Sequence, residues 1–347
     1  MLHAKQLKQY VAQFVAELFG TFVLIFIGDL SVAQYKFTKP RINSNFGINL
    51  SYGTGVYVAL MIAGPISALM IAGPVSGAHL NPAVSISLLT IRKLKPLQCL
   101  FYVIGQLIGA FFGAVIVYNL HWALFNRFDG GVRQIAGNNG TADIFFTMPE
   151  DGIPQWNLFF DQLIGTAVLM IFIMALGNDF NHMISEVAKP FAFTLIIFAI
   201  TSAFARNSGA AINPARDLGP RLFAAFIYGW KEVFQSNNYF FWIPIMGPIV
   251  GAIIGVWIFE GYLLLMKRFA NLPNVVNIGS IELHPKVKST DVHDFTCSSS
   301  MDTSSENIRH AGNIHTSAIQ DSHNRSHESE SIDNSSGMLL LTSSSTS

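Results

Sequence analysis

The sequence predicts an all-α membrane protein with six transmembrane helices and two re-entrant half-helices, built as an inverted repeat. Three observations carry this prediction: apolar runs of membrane length, one segment that recurs in each half, and two Asn-Pro-Ala triplets. Hydrophobic residues make up 51% of the chain and charged residues 12%, against about 25% charged in globular proteins. Six apolar runs of about 16 to 26 residues approach or exceed the roughly 20 residues that cross a bilayer. They lie at about 10–30, 48–73, 98–122, 157–177, 190–205 and 240–265.

The remaining composition limits the class of protein further. Basic and acidic residues number 21 each, so no basic excess indicates a nucleic-acid partner. The first apolar run lacks a small-residue cleavage site and leads into further spans, so we interpret it as a membrane helix rather than a signal peptide. Cys99 and Cys297 are too few for a disulfide framework. From about residue 275 the chain is rich in Ser, Thr, His and Asn, which predicts disorder.

Charges near the spans predict that both termini are cytoplasmic under the positive-inside rule. The basic residues that support this orientation are Lys5, Lys8, Arg92, Lys93, Lys95, Lys267 and Arg268. Lys36, Lys39 and Arg41 conflict with it, because they then lie outside. The same orientation places Asn139, in the sequon Asn-Gly-Thr, on an external loop where it is a candidate N-glycosylation site.

The two halves of the chain share matching landmarks in the same order. The frame x-L-x-G-T-x-V-L occurs at 17–24 and again at 162–169, an offset of 145 residues. The two Asn-Pro-Ala triplets follow, one per half, at an offset of 132. Because each half has three spans, the halves lie in opposite orientation in the bilayer. Such inverted repeats form transport paths at the membrane midplane.

Each Asn-Pro-Ala triplet predicts the start of a helix inside the membrane. Asn is a favoured N-cap and Pro suits the first helical position, so Asn81-Pro82-Ala83 and Asn213-Pro214-Ala215 each begin a helix of about ten residues. Ten residues span roughly 15 Å, half of a bilayer core. Backbone N–H groups left open at that depth are tolerated only beside a wet cavity or packed protein. The chain is therefore expected to bring two positive helix ends to the midplane.

The segments SGAHLNPAV and NPARDLGPRLF resemble the two signature segments of the aquaporin superfamily, the major intrinsic proteins. The resemblance covers about residues 10–266 and implies an aquaporin-like fold and a passive pore rather than an enzyme, with no cofactor and no metal. It implies a cytoplasmic segment at 1–9, a channel domain at 10–268 with repeats at about 10–122 and 157–268, and a disordered cytoplasmic tail at 269–347.

The resemblance also implies roles for individual residues. Asn81 and Asn213 would donate hydrogen bonds to the permeant, while the half-helix ends repel cations and protons. Arg216 would lie at the narrower outer filter; a snorkelling arginine is the alternative. His79 resembles a pore-side position, and a packed, hydrogen-bonded histidine fits it equally well. Glu17 would brace a half-helix loop, and its repeat mate is Gln162, which accepts hydrogen bonds without charge.

Four residues resemble markers of the glycerol-conducting branch: Asp217, Arg221, Pro244 and Ile245. Counting from each Asn places the selectivity filter at Tyr52, Thr201, Ala210 and Arg216. Glycerol channels usually carry an aromatic residue where Ala210 stands, so the resemblance implies a wide filter that admits larger polyols. Thr201 offsets part of this widening, because the usual residue there is Gly.

A tandem duplication complicates the assignment of Tyr52. ALMIAGPIS at 59–67 is followed by ALMIAGPVS at 68–76, identical at eight of nine positions. Nine extra helical residues add about 13.5 Å and turn the face by about 180°. We therefore expect Pro65 to end or kink the span, with one copy extruded. If the extra copy does not lie between Tyr52 and Asn81, counting back from Asn81 gives Met61 instead.

Taken with the resemblance, the sequence predicts a homotetrameric, multi-pass channel of the plasma membrane for glycerol, water and further polyols or urea. A water-selective channel of the same fold is the alternative, although Asp217 and Ala210 argue against it. An ion-coupled transporter would need several ionisable groups in the membrane; the sequence shows mainly Glu17, with Asp29, Asp161 and Glu260 expected nearer span ends. A structural adhesion protein would not need the intact Asn, Asn and Arg set.

Overall fold

The computed structural model describes residues 4–38, 43–70, 77–178, 181 and 183–269, and for 65–70 it describes the backbone alone. The described chain is helical, without a strand in these residues. The helices are α1 Ala4–Phe37, α2 Asn45–Met70, α3 Pro82–Thr90, α4 Pro96–Asp129, α5 Gln155–Leu176, α6 Lys189–Ser208, α7 Pro214–Tyr228, α8 Trp230–Tyr239 and α9 Ile243–Phe269. Single 3₁₀ turns occupy Ala142–Ile144, Glu186–Ala188 and Phe240–Trp242.

Six long apolar helical segments of the described chain are able to cross a membrane, and each overlaps one of the predicted runs. They are built on α1, α2, α4, α5, α6 and α9, so the expected order of three spans, a half-helix between the second and third, and a second such set is confirmed. α3 matches the predicted length with nine residues, whereas α7 has 15 residues and contains Pro220. The predicted tail lies outside the described residues beyond Phe269.

Each half-helix packs mainly against a long helix of the opposite half. In the first half α1 packs on α2 and α4, and in the second α5 packs on α6 and α9. α3 packs mainly on α9 of the second half, and α7 packs mainly on α4 of the first half. Each half-helix is thereby buried by the opposite repeat, which satisfies the requirement that a helix end inside a membrane be enclosed by protein.

Glycines set how closely the long helices approach each other. In α4 a Cβ on Gly109 would lie 2.1 Å from the carbonyl oxygen of Leu18 in α1. In α9 a Cβ on Gly251 would lie 2.1 Å from the carbonyl oxygen of Leu163 in α5. Small residues at such crossings allow backbone-to-backbone packing in membranes. Further glycines lie four residues before and after these two, at Gly105 and Gly113 in α4 and at Gly247 and Gly255 in α9. Both repeats therefore pack their helices through glycines at the same intervals.

The duplicated segment begins inside α2. Ala59 and Ala63 of the first copy are buried, and a Cβ on Gly20 of α1 would lie 2.9 Å from that of Ala63. α2 does not end at Pro65, because it continues to Met70. Residues 71–76, which hold most of the second copy, are outside the described residues, so the predicted extrusion of one copy stays a prediction.

Candidate functional site

The two predicted N-caps meet in the middle of the fold and are held by the opposite half. The Asn81 side chain accepts the backbone N–H of Ala83 at 2.9 Å, and the Asn213 side chain accepts that of Ala215 at 3.0 Å. The Asn81 amide then donates to the carbonyl of Ile212 at 2.9 Å, while the Asn213 amide donates to the carbonyl of Leu80 at 2.7 Å. Each side chain therefore caps its own helix and donates a hydrogen bond to the loop that precedes the opposite half-helix.

In this arrangement each asparagine side chain keeps one amide N–H that is not engaged in capping or in binding the opposite loop. A side-chain amide has two N–H donors and one oxygen, and the oxygen and one N–H of Asn81 and of Asn213 are already engaged. Both side chains line two cavities, of about 560 and 540 Å³. The remaining N–H groups are thus available at the place where these cavities meet.

The two cavities follow α2 from Asn45 to Gly64. The cavity of about 560 Å³, called the outer cavity after the outer filter that the resemblance implies, is lined by Asn45, Tyr52 and Val56. The cavity of about 540 Å³, called the inner cavity, is lined by Val56, Met61 and Gly64. The 20 residues from Asn45 to Gly64 span about 28 Å in a helix, close to the thickness of a bilayer core. The two cavities share both asparagines and together extend along this length of α2, so the two asparagines lie where the cavities adjoin; the two cavities together are called the path.

Strained backbone precedes both asparagines. Leu80 has φ of 55° and Ile212 has φ of 44°, a left-handed conformation that is uncommon for any residue but glycine and most unfavourable for a β-branched one. These residues hold equivalent places in the two repeats, and their carbonyls receive the amides of Asn213 and Asn81. Strain of this kind persists only where the surroundings over-determine the conformation.

Glu17 contacts the first of these loops through hydrogen bonds from two backbone N–H groups. Its carboxylate accepts the backbone N–H of His79 at 2.6 Å and that of Leu80 at 2.8 Å. It also accepts the side-chain amide of Gln106 at 2.7 Å. Glu17 is fully buried, and these three donors compensate the removal of the carboxylate from water.

Gln162 braces the second loop in a different way. Its side-chain oxygen accepts the N–H of Ile212 at 2.9 Å, while its nitrogen donates to the hydroxyl of Ser208 at 2.8 Å and to the Ser208 carbonyl at 3.3 Å. A glutamate in this position would face the Ser208 carbonyl without a hydrogen to share. The amide is therefore fitted to the second repeat rather than a weakened copy of Glu17.

His79 combines both roles considered from the sequence. Its ring lies across that of Tyr102 with centroids 4.8 Å apart, and its Nδ1 is 3.0 Å from the Ser85 hydroxyl. The residue is only partly buried and lines the inner cavity. His79 is thus a packed, hydrogen-bonded side chain that also faces the path.

The four residues expected at the filter lie together in the outer cavity. Tyr52, Thr201, Ala210 and Arg216 all line it. The Arg216 guanidinium donates to the Tyr52 hydroxyl at 2.6 Å and to the carbonyl of Phe145 at 3.3 Å, and its Cζ lies 4.8 Å from the Tyr52 ring centroid. Thr201 donates its hydroxyl to the Ile197 carbonyl of its own helix at 2.9 Å.

The contact with Arg216 favours Tyr52 over Met61 as the α2 filter residue. Met61 lines the inner cavity, away from Arg216, and is 51% exposed. Ala210 has a side chain of one methyl group, so no bulk faces Arg216 from that position. Arg216 is not a snorkelling arginine, because it is 8% exposed and bonded to two other parts of the fold.

Asp217 anchors the loop that supports Arg216. Its carboxylate accepts the backbone N–H and the hydroxyl of Thr147, at 2.9 and 2.5 Å, and pairs with Arg221 at 2.6 Å. Arg221 also donates to the Thr147 carbonyl at 3.0 Å and stacks 4.0 Å over the Phe146 ring. This clamp fixes residues 145–147, and thereby the Phe145 carbonyl that receives Arg216.

The other predicted residues lie away from the path. Pro244 is buried and Ile245 partly buried at the start of α9, and neither lines the two cavities. Asn139 is exposed on the loop between α4 and α5. Among the residues that the structure describes, no group of His, Cys, Asp and Glu could hold a metal ion.

Sequence reasoning missed Asp29. The sequence places it near the end of a span, but α1 continues to Phe37 and Asp29 is fully buried inside it. Its Oδ1 accepts the hydroxyl of Tyr52 at 2.8 Å, so it lies directly behind the filter. Apart from an acidic residue in an apolar run, no pattern in the sequence indicates this contact.

Fold and site together define a membrane channel built from an inverted repeat, with two capped half-helices at its centre. The model of the Major intrinsic protein family matches residues 4–259. Aquaporin-9 of Homo sapiens is 39% identical over 242 residues, which cover 70% of this chain and 79% of the relative. Aquaglyceroporin-2 of Rhizophagus irregularis is 34% identical over 248 residues, 72% of this chain and 76% of the relative.

The solved X-ray structure of the aquaglyceroporin from Plasmodium falciparum is also similar. It superposes with a TM-score of 0.63 at 28% identity, over 74% of this chain and 98% of that chain. The chain therefore belongs to the major intrinsic protein family, whose members are multi-pass membrane channels and not enzymes.

Proposed function

We propose that this chain is a passive channel that conducts glycerol, other small uncharged solutes and water. The observation that carries the proposal is the meeting of two cavities at Asn81 and Asn213, each of which retains one amide hydrogen there. Relatives that bear the names aquaporin and aquaglyceroporin support the same function.

In the proposed mechanism a solute exchanges its water shell for donors of the channel. Hydroxyl oxygens of the solute accept first from Arg216 in the outer cavity and then from Asn81 and Asn213 at the centre. A guanidinium has five N–H donors, of which two are engaged with Tyr52 and Phe145. The positive ends of α3 and α7 and the charge of Arg216 raise the energy of cations and protons in the path.

The small side chain at Ala210 supports passage of larger polyols and of urea. No aromatic ring narrows the filter from that side. Thr201 also lines the cavity, but its hydroxyl already donates a hydrogen bond within α6. The water-selective alternative requires a tighter filter than the one formed by Tyr52, Thr201, Ala210 and Arg216. The residues that resemble glycerol-branch markers, Asp217 and Arg221, here secure the loop behind Arg216.

Stopped-flow light scattering of purified protein in liposomes tests the proposal. Separate sucrose and glycerol gradients measure water and glycerol permeability. We expect fast glycerol entry for the wild type, lower glycerol entry for Ala210→Phe because the ring narrows the filter, and altered solute selectivity for Arg216→Ala. Arg127, exposed at the end of α4, gives a matched control arginine. Fast water flux without glycerol entry would show a water-selective channel instead.

We further propose a homotetramer in the plasma membrane with both termini cytoplasmic. The segment 1–9 and the tail 269–347 then flank a channel domain at 10–268, with repeats at about 10–122 and 157–268. Lys36 fits this orientation despite its charge, because it pairs with Asp143 at 2.7 Å. Cross-linking and mass measurement in detergent test the tetramer, and surface biotinylation tests the location.

The exposed sequon at Asn139 reports the orientation directly. We propose that the loop between α4 and α5 is external and that Asn139 carries an N-linked glycan in a eukaryotic host. Endoglycosidase should sharpen and lower the band of the wild type and leave Asn139→Gln unchanged. Protease protection of a tag placed at residue 1 decides the orientation even if the glycan is absent.

A further inference from the structure

The filter arginine is connected through Tyr52 to a carboxyl group in α1. The Arg216 guanidinium donates to the Tyr52 hydroxyl at 2.6 Å, and that hydroxyl lies 2.8 Å from Oδ1 of Asp29. Because a guanidinium has donors only, Tyr52 must accept from Arg216. Its single proton is donated to Asp29, so the hydrogen bonds run from Arg216 through Tyr52 to Asp29.

Asp29 has no other evident task in the fold. It is fully buried, and its Oδ2 has no hydrogen-bond partner among the described residues. Asp217, the other buried carboxylate nearby, is fully occupied by Thr147 and Arg221. Within the described chain Arg216 forms no direct ion pair. Asp29 is thus the acidic group that faces Arg216 by way of Tyr52.

The Tyr52 ring cannot move away from this arrangement toward α1. A Cβ on Gly28 would lie 2.2 Å from Cε1 of the ring, so the ring packs directly on the backbone of α1. The Cζ of Arg216 lies 4.8 Å from the centroid of the same ring. The Tyr52 hydroxyl is the hydrogen-bond acceptor that holds Arg216 to this wall, and it donates its own proton to Asp29.

We propose that Asp29 is a positioning residue that determines solute size in the filter, by holding the Arg216 guanidinium against the Tyr52 wall through the Tyr52 hydroxyl. This inference rests on the proposed glycerol channel. When the acceptor is absent, the hydroxyl proton is no longer directed away from the guanidinium, and the hydrogen bond from Arg216 to the Tyr52 oxygen weakens. The guanidinium then moves into the lumen toward Ala210, where only a methyl group opposes it. Larger solutes lose more permeability than smaller ones.

The test measures the permeability ratio of a four-carbon polyol to glycerol in liposomes, which does not depend on how much protein is active. We expect Asp29→Ala and Tyr52→Phe each to lower the ratio about tenfold, as the loss of one hydrogen bond to a charged group allows. Asp29→Asn keeps an acceptor and should restore most of the ratio. In the Tyr52→Phe background Asp29→Ala should cause no further change.

The outcomes separate this inference from the proposed function. An unchanged ratio in Tyr52→Phe, which removes one oxygen and keeps the ring, would overturn the inference even if Asp29→Ala failed to fold. An effect of Asp29→Ala that persists in the Tyr52→Phe background would show that Asp29 does not act through Tyr52. A wild type that passes water but neither polyol would overturn both the proposed function and the inference.

Discussion

At the scale of single residues, the position of Arg216 depends on Tyr52, which lines the path, and also on side chains that do not line it. Its guanidinium is held by Tyr52 on one side and by the Phe145 carbonyl on the other. The Phe145 carbonyl is in turn fixed by the Asp217 clamp on Thr147. Asp217, which resembles a marker of the glycerol-conducting branch, therefore has a structural role: it fixes the position of the loop that carries the Phe145 carbonyl.

Replacing Asp217 with Asn should destabilise the protein and reduce glycerol permeability together. Four donors from Thr147 and Arg221 point at the carboxylate, and an asparagine would turn an N–H₂ group toward at least one of them. Breaking one partner of a buried ion pair costs about 3–5 kcal/mol. The loss of stability is measured by heating the protein in detergent and quantifying the remaining folded protein by size-exclusion chromatography.

The exposed pair of Arg206 and Glu150 serves as the control for that prediction. Arg206 donates at 2.8 Å but its side chain is 82% exposed, and exposed pairs contribute about 0–1 kcal/mol. Glu150→Gln should therefore leave thermal unfolding almost unchanged. An Asp217→Asn protein as stable as this control would contradict the role assigned to the clamp.

The braces of the two half-helix loops should not be interchangeable. Glu17→Gln would set an N–H₂ group against backbone N–H groups, and Gln162→Glu would set a carboxylate against the Ser208 carbonyl. A buried polar group without a partner costs about 1–3 kcal/mol. Both single variants should lower the unfolding temperature. A stable Gln162→Glu protein would show that the amide is not required.

The sequence could predict part of this residue-level picture. Asn81, Asn213 and Arg216 stand in contiguous motifs, so their types and spacing are enough to indicate a site. Asp29 and Thr147 could not be found in this way. Both act through contacts with residues distant along the chain, and such contacts leave no local pattern.

At the scale of elements, the repeat is visible in packing as well as in motifs. Gly109 in α4 and Gly251 in α9 bring their helices against α1 and α5 at the same distance from a carbonyl oxygen. The glycine spacing can be read in the sequence, but only the helix crossings explain it. The half-helix starts were predictable from the caps, whereas the 15-residue length of α7 was not. The length depends on burial of α7 against α4.

Gly251→Ala should weaken the protein, while Gly261→Ala in the same helix should not. The methyl group at 251 would collide with the Leu163 carbonyl, and backbone atoms cannot yield. Overpacking of this kind costs about 1–3 kcal/mol. Nothing lies within 4 Å of a Cβ at 261, where alanine gains about 0.5–1 kcal/mol of helix propensity. Thermal unfolding curves of the two variants are compared with that of the wild type. Equal destabilisation of both variants would contradict the role of Gly251 in the close packing of α9 on α5.

At the scale of the whole molecule, the tandem duplication lies beside the path without supplying its central contacts. Leu60, Met61 and Gly64 of the first copy line the inner cavity. The described hydrogen bonds of His79, Leu80 and Asn81 come from Glu17, Ser85, Ala83, Ile212 and Asn213. The first copy therefore provides the wall, and the loop that follows Gly77 is anchored independently of it.

Deletion of residues 68–76 should leave glycerol permeability and folding intact. The deletion joins Ser67 to Gly77 and so restores the Ser-Gly-Ala-His-Leu sequence that now begins at Ser76. Loop-closure entropy changes slowly with length, by about 0.6 kcal/mol per doubling, so a shorter connection has little thermodynamic effect. Deletion of 59–67 gives the same chain except for Val in place of Ile66, and the two deletions should behave alike in liposome flux and thermal unfolding. If both deletions abolished flux while the full chain conducts glycerol, the second copy would be a required part of the channel.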